Sequence, residues 1–298
     1  MKIRVLLALL SFVVPGIAQD KTPPPSEEEM KAKLEAWVNG LKFQTGKISL
    51  PGGIASLNVP AEFKYLNSAD SVKLMQVYGN PPQEMLGIIF PAAAELLKDE
   101  DGWFVVIQFS EDGHVKDDDA EKINYDDLLK QMKEGAATDS AERIKQGYSA
   151  IELVGWAAKP HYDKETHKLY WAKEIKFAGE ASNTLNYNIR MLGRKGVLVA
   201  NAVSSISKLP EIESATPQIL AMVDFNEGHR YADFDEKKGD KVATYGIAGL
   251  IAAGIAAKAG LFKVIGIFLL KFWKLLAIGV VAVGAWIKKI FTRPGTQA

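Results

Sequence analysis

Four runs between Ser149 and Ser205 limit the possible folds of this chain more than any other feature: "SAIELVGWAA", "KLYWAKEIKF", "TLNYNIRML" and "VLVANAVSS". Each alternates or clusters apolar residues in the manner of a strand, and the polar connections "KPHYDKETH", "AGEASN" and "GRKG" separate them. In the second run Leu169, Trp171, Ile175 and Phe177 share one face. Short links between sequential strands favour an antiparallel meander. The next segment, "LPEIESATPQILAMVDF", is expected to be a helix that covers the sheet with Ile212, Ile219, Leu220 and Val223.

Upstream, "DKTPPPSEEE" is an extended linker over residues 19–29, because consecutive prolines favour polyproline geometry. Ser26 and Glu29 form a capping box that opens a helix to about Gly40, with Met30, Leu34, Trp37, Val38 and Leu41 on one face. "KFQTGKISL" and "IASLNV" flank a hairpin turn at "PGG", and a short helix is expected over Ser71 to Tyr78. "WFVVIQFSEDGHV" predicts a strand turning back at Asp112-Gly113. Asn124 caps a helix to about Glu134, and a second helical piece, "SAERIKQ", stops at Gly147. The expected class is therefore α+β, a largely antiparallel sheet with flanking helices. It forms a domain over 30–240 in which 30–147 and 148–235 are one unit or two.

Charge separates this domain from the C-terminal part of the chain. All 36 acidic residues lie between Asp20 and Asp240, where 26 Lys and Arg accompany them; from Lys241 onward there are seven Lys, one Arg and no acid. An acidic body is a poor partner for nucleic acid, whereas a basic apolar tail suits anionic lipid. Residues 1–18 have the order of a secretory signal: Lys2 and Arg4, the apolar "VLLALLSFVV", then small Gly16 and Ala18 before a cut. The expectation is thus an exported domain with a tail suited to a membrane surface. With no cysteine, thiol catalysis, c-type haem attachment and cysteine lipidation are excluded.

Residues 241–290 read as a membrane anchor and 291–298 as a short tail. Val242 to Ala257 are 16 uncharged residues, about 24 Å as a helix, flanked by Lys241 and Lys258. Leu275 to Ile287 form a second, shorter apolar run, so a helical hairpin of two spans is expected ahead of one span plus a surface helix, with Lys263, Lys271 and Lys274 at the interface. Small residues at Gly249, Ala253 and Ala257 have the spacing that permits close helix packing, which makes a homo-oligomer one candidate state.

Candidate chemistry is sparse. His161, Asp163 and His167 in "HYDKETH" supply nitrogen and oxygen ligands for a divalent metal, but not at H-E-x-x-H spacing; solvent-exposed loop histidines are the plainer alternative. "EDGHVKDDDAEK" is rich in oxygen ligands, yet an EF-hand loop opened at Asp117 would place Lys122 where glycine is required. Asn186, Asn188 and Arg190 alternate along one strand face, which could grip an anion or simply be the wet side of the sheet. No P-loop, nucleophile elbow or dinucleotide fingerprint is present.

The segments "DDDAEKINYDDLLKQM", "GYSAIELVGWAAKPHYDKETHKLYWAKE", "LNYNIRMLGRKGVLV" and "AAKAGLFK" together resemble an uncharacterised bacterial family of membrane-anchored proteins, domain of unknown function 2167, over roughly Leu41 to Lys289. The resemblance implies an envelope location, at the inner (cytoplasmic) membrane with the domain on its periplasmic side, and a C-terminal anchor, and brings no reaction, cofactor or catalytic residue. "VPAEFKYL" and "LPEIESATPQILAMVDF" also bear a weaker likeness to PsbP/Mog1-like folds, which says little about function. The expectation is a non-enzymatic envelope protein, in contact with the bilayer and binding a protein partner or envelope component. The rivals are a metal-assisted hydrolase at His161, Asp163 and His167, and a membrane-active or transport-associated protein oligomerising through its anchor.

Overall fold

The computed structural model describes residues 27–252, apart from 79, 81, 98–101 and 146. Helix α1 (Glu27–Asn39) is followed by strands β1 (Gly46–Ser49), β2 (Ala55–Val59) and β3 (Phe63–Asn67), helix α2 (Ser68–Val77), and strands β4 (Gly87–Pro91) and β5 (Val105–Ser110). Helix α3 (Tyr125–Lys145) leads into the meander β6 (Ile151–Asp163), β7 (Lys168–Phe177), β8 (Thr184–Leu192) and β9 (Val197–Ser205). Helix α4 (Leu209–Met222), the short strand β10 (Val223–Phe225) and helix α5 (Ile247–Ala252) complete the order.

The meander forms as its alternation predicts, and it is one half of a seven-stranded sheet ordered β3-β4-β5-β9-β8-β7-β6, antiparallel throughout. Pairing of β5 with β9, from Val105↔Ala202 to Ser110↔Val197, makes one sheet of strands from both 30–147 and 148–235. A three-stranded sheet, β1-β2-β10, and helix α4 cover one face. Leu57, Ile107, Tyr187, Ile189, Ile212 and Ile219, all 1% exposed or nearly so, fill that interface. Each such side chain contributes roughly 1.5–3 kcal/mol of transfer free energy. The opposite face is shared: α2 packs over Leu66, Ile88 and Phe90, while α3 and α5 pack over Trp171, Leu192 and Val197.

Three local expectations are corrected. The two helical pieces around Gly135 are one helix, α3, whose Leu128, Met132, Ala136 and Ser140 form a buried row at four-residue spacing. Packing of that row outweighs the roughly 1 kcal/mol that an interior glycine costs. Asp112-Gly113 is no hairpin, because β5 takes β4 and β9 as its neighbours. Gly113 instead adopts φ 94° against the backbone of Lys241, and His114 forms an isolated parallel bridge to Val242. The His114 N–H donates to Lys241 O at 2.8 Å, and the Ala243 N–H donates to His114 O at 2.9 Å.

The third correction concerns the first expected span. Residues 242–252 belong to the folded domain: Ile247 and Ile251 are fully buried and Leu250 is 6% exposed, all against the core under α3. Lys241 is exposed where this segment joins the domain. A side chain at Gly249 would meet Tyr245 Cβ at 2.7 Å, so this glycine gives room to a neighbouring ring of the same segment. Among the described residues no helix is long and apolar enough to cross a membrane. The signal sequence, most of the linker, Ala253, Ala257, Lys258, Lys263, Lys271, Lys274 and the second apolar run lie outside the described residues.

Candidate functional site: the cleft between β7 and α4

Residues His161, Asp163 and His167 fall in the β6–β7 hairpin, but the pleat divides them. Pairing sets His161 opposite Tyr170 and Asp163 opposite Lys168, on the side covered by α4. Asp163 serves the turn: its carboxylate accepts from Thr166 Oγ1 at 2.6 Å and from the N–H groups of Glu165 at 2.9 Å and Thr166 at 3.3 Å. Those bonds, the Thr166 hydroxyl foremost, hold its carboxyl below the usual carboxylate range. His167, at φ 53°, turns to the opposite face. There it stacks on Tyr231 at 3.9 Å and sets Nδ1 3.6 Å from Asp117 Oδ2. The three side chains therefore do not make one ligand set, and no group of three or more potential metal ligands occurs among the described residues.

The acidic stretch after β5 is engaged in the same structural manner. Asp117 accepts from Tyr162 at 2.8 Å and Tyr231 at 3.3 Å, Asp112 from Ser110 and Tyr245 at 2.6 Å each, and Asp119 from two backbone N–H groups of α5. These carboxylates fasten residues 226–252 to the domain and do not converge on one point.

His161 and Asp163 do join a cleft of about 590 Å³ between β7 and α4. Its floor is Tyr170 and Tyr187, with ring centroids 6.5 Å apart and planes within 7°. Burial raises the Tyr187 phenol to about 12. At the inner end Lys168 Nζ donates to Leu220 O at 2.6 Å and Val223 O at 3.2 Å, capping the C-terminus of α4, where a cation complements the helix dipole. Burial depresses the Lys168 ammonium, a shift opposed by Asp224 and Asp163.

Helix α4 presents an irregular wall to this cleft. Pro217 lies inside the helix and has no N–H, so the carbonyl of Glu213, four residues earlier, lacks its helical donor. Thr216 Oγ1 donates to Ile212 O at 2.8 Å and does not compensate for that loss. Glu213 and Pro217 both line the cleft, which offers the Glu213 carboxylate and the Tyr170 ring to a hydrogen-bond donor. Metal-ligand spacing in the sequence gives no sign of Tyr170, Tyr187, Lys168 or Glu213. Pro217 within an otherwise helical pattern is the one visible signal.

No curated protein matches the chain. Among solved structures, cyanobacterial PsbP (CyanoP) from Synechocystis sp. PCC 6803 aligns over 62% of this chain and 94% of its own, at 10% identity and a TM-score of 0.33. The Ran-binding protein Mog1p of Saccharomyces cerevisiae aligns over 60% of this chain and 84% of its own, at 12% identity and a TM-score of 0.29. Residues 42–284 match the family model described as protein of unknown function, DUF2167, and the chain belongs to that family.

Proposed function

We propose that this protein is a binding protein of the cell envelope, exported, tethered at a membrane by residues beyond Ala252, and receiving a hydrogen-bond-donating group of a partner in the β7–α4 cleft. The observation that carries the reading is how the cleft distributes its polar groups. Of the groups that could move protons, Asp163 and Lys168 are held by the hairpin turn and by the end of α4, and His161 lies against the Tyr170 ring with centroids 5.1 Å apart. The groups left to meet a ligand are recognition elements: the Tyr170 ring, with His161 beside it, and the exposed carboxylate of Glu213. The signal pattern at 1–18 and the apolar, acid-free sequence of 253–298 support the location.

Site-directed photo-cross-linking in membranes tests this. With benzoylphenylalanine in place of the exposed Ala221 at the cleft rim, the full-length protein is expected to give a discrete product. Tyr170→Ala and Glu213→Lys should each reduce that product several-fold at unchanged protein level. A product indifferent to both substitutions would count against the cleft. Recovery of the protein in the aqueous fraction after cell lysis would count against the tether.

A further inference from the structure

The sheet face beneath α3 and α5 buries two cations without an acid. Lys173 on β7 is 3% exposed and Arg190 on β8 is 8% exposed. Register places Leu169, Trp171 and Lys173 opposite Arg190, Asn188 and Asn186, so all six stand on one face. This face of β8, where the alternation allowed either an anion grip or a wet surface, is therefore largely covered.

The donors here outnumber the acceptors. The Arg190 guanidinium lies 5.1 Å from the centre of the Trp171 ring and donates to Ile189 O at 2.8 Å, Asn201 Oδ1 at 2.8 Å and Asn188 Oδ1 at 3.3 Å. Two of the five N–H donors of a guanidinium remain unused. Trp171 Nε1 is buried with no acceptor. Lys173 has no hydrogen-bond or ion-pair partner among the described residues, and the charge it feels most is the like charge of Arg190. Tyr245 faces Arg190, but its hydroxyl donates to Asp112 at 2.6 Å. No Asp or Glu occurs after Asp240, so residues 253–298 bring no acidic side chain.

A buried, unpaired ion costs several kcal/mol, and folded proteins ordinarily pair or neutralise it. We propose that the face formed by Trp171, Lys173 and Arg190 is a binding site for a phosphomonoester-type dianion. Two cations match two negative charges, whereas a carboxylate would leave one cation uncompensated. The phosphate oxygens also supply acceptors for the ammonium, the indole N–H and the unused guanidinium edge. Access lies along the sheet: Asn186, opposite Lys173, is itself opposite Val203 on β9, which is 52% exposed. The anion could come from a water-soluble phosphate or from the headgroup of phosphatidic acid, which presents the same chemistry.

Thermal unfolding of the full-length protein in non-ionic detergent separates these outcomes. Inorganic phosphate, or mixed micelles containing phosphatidic acid, is expected to raise Tm by about 5 °C at roughly a hundredfold excess over Kd. A response to free phosphate assigns a soluble source. A response only to phosphatidic acid, and not to phosphatidylcholine, assigns the headgroup. Lys173→Met, which keeps the chain length and removes the charge, should abolish the response. A wild-type Tm indifferent to both probes, or a response equal in Lys173→Met, overturns the proposal. If Lys173→Met does not fold, Lys173→Gln replaces it in the same measurement. The ³¹P line of phosphate at one equivalent of wild-type protein should broaden as well, and an unbroadened line alongside a flat Tm has the same negative meaning.

Discussion

Asp119 holds the start of α5: its Oδ1 accepts from the Ile247 N–H at 2.9 Å and its Oδ2 from the Ala248 N–H at 3.0 Å, across 128 residues of chain. Gly246 permits this approach, because a Cβ there would lie 2.6 Å from Asp119 Oδ1. The pair fixes where the C-terminal segment enters the core. Asp119→Ala should destabilise the domain by about 1–2 kcal/mol, the usual range for a lost cap with charge-assisted hydrogen bonds. Asp119→Asn should retain part of this. Urea denaturation reads the difference, and hydrogen exchange should show the loss of protection concentrated at the Leu250 and Ile251 amides. Loss spread evenly over the sheet would contradict a local cap.

The second fastening is sensitive to acid. Arg194 Nε donates to Asp240 Oδ2 at 2.6 Å, the Asp235 N–H donates to the same oxygen at 2.9 Å, and Lys195 Nζ lies 3.6 Å from Oδ1. These groups, the Arg194 hydrogen bond foremost, hold the Asp240 carboxyl down to about 2, below its ordinary 3.8. A carboxyl with a depressed folded pKa stabilises fully above its unfolded pKa and loses that contribution as pH falls through the folded value. The wild type should therefore lose stability between about pH 4 and pH 2, and Asp240→Asn should lose less over that window. Other carboxylates titrate there too, so the quantity to compare is the difference in urea midpoint between the two proteins at each pH. A constant difference would exclude Asp240 as the source.

Much of the fold was legible because one chemical rule writes it into the sequence: a strand with one buried face alternates. Leu185, Tyr187 and Ile189 announced β8 in this way, and Asn124 announced the start of α3 by the acceptor it presents to the N–H groups of Asp126 and Asp127. The same rule could not show that the other face of β8 is covered, because Asn188 and Arg190 alternate identically whether water or α5 lies above them. Strand β4 left no alternation to read, since Ile88, Ile89 and Phe90 are buried on both faces. The hairpin residues misled for a related reason. His161, Asp163 and His167 are close in sequence, but the turn at 164–167 sends the last to the opposite face. The cleft itself joins β7 and β8 to α4, elements tens of residues apart, so the sequence brought out His161 and Asp163 but not the residues of α4 that face them.

Lys173 should reveal itself through alkaline stability even in the absence of phosphate. Burial, then repulsion by Arg190, pushes its ammonium down to about 8 from 10.5. Below pH 8 both folded and unfolded states are protonated and the folded state bears the full desolvation cost. Between pH 8 and 10.5 the unfolded chain binds the extra proton, so stability rises with pH in that interval. The gain is on the order of 3 kcal/mol at most. Lys173→Met should lack this rise and match or exceed the wild type at pH 7, since replacing an unpartnered buried charge by an apolar chain is commonly neutral or stabilising. Urea midpoints at pH 7, 8, 9 and 10 decide it; parallel curves for the two proteins would mean that Lys173 is paired in solution.

The limit of the domain is open to a direct test by truncation. By hydropathy and charge alone the boundary falls at Asp240, the last acid, with everything beyond assigned to an anchor. An apolar run has the same composition whether it faces lipid or a protein core, which is why that boundary misplaces Ile247, Leu250 and Ile251. Burial of those three side chains contributes roughly 5–9 kcal/mol, comparable to the whole stability of a typical domain, about 5–15 kcal/mol. Removing residues 241–298 should therefore give a chain that aggregates or binds hydrophobic dyes. It also deletes the Lys241–Ala243 backbone that pairs with His114. Removing only 253–298 should leave a cooperatively unfolding domain that no longer sediments with membranes. Far-ultraviolet circular dichroism with thermal melts, alongside membrane flotation, distinguishes the two truncated chains. If the shorter chain folds as stably as the longer one, α5 is an accessory to the core and not part of it. If the longer chain still floats with membranes, the tether lies within the domain.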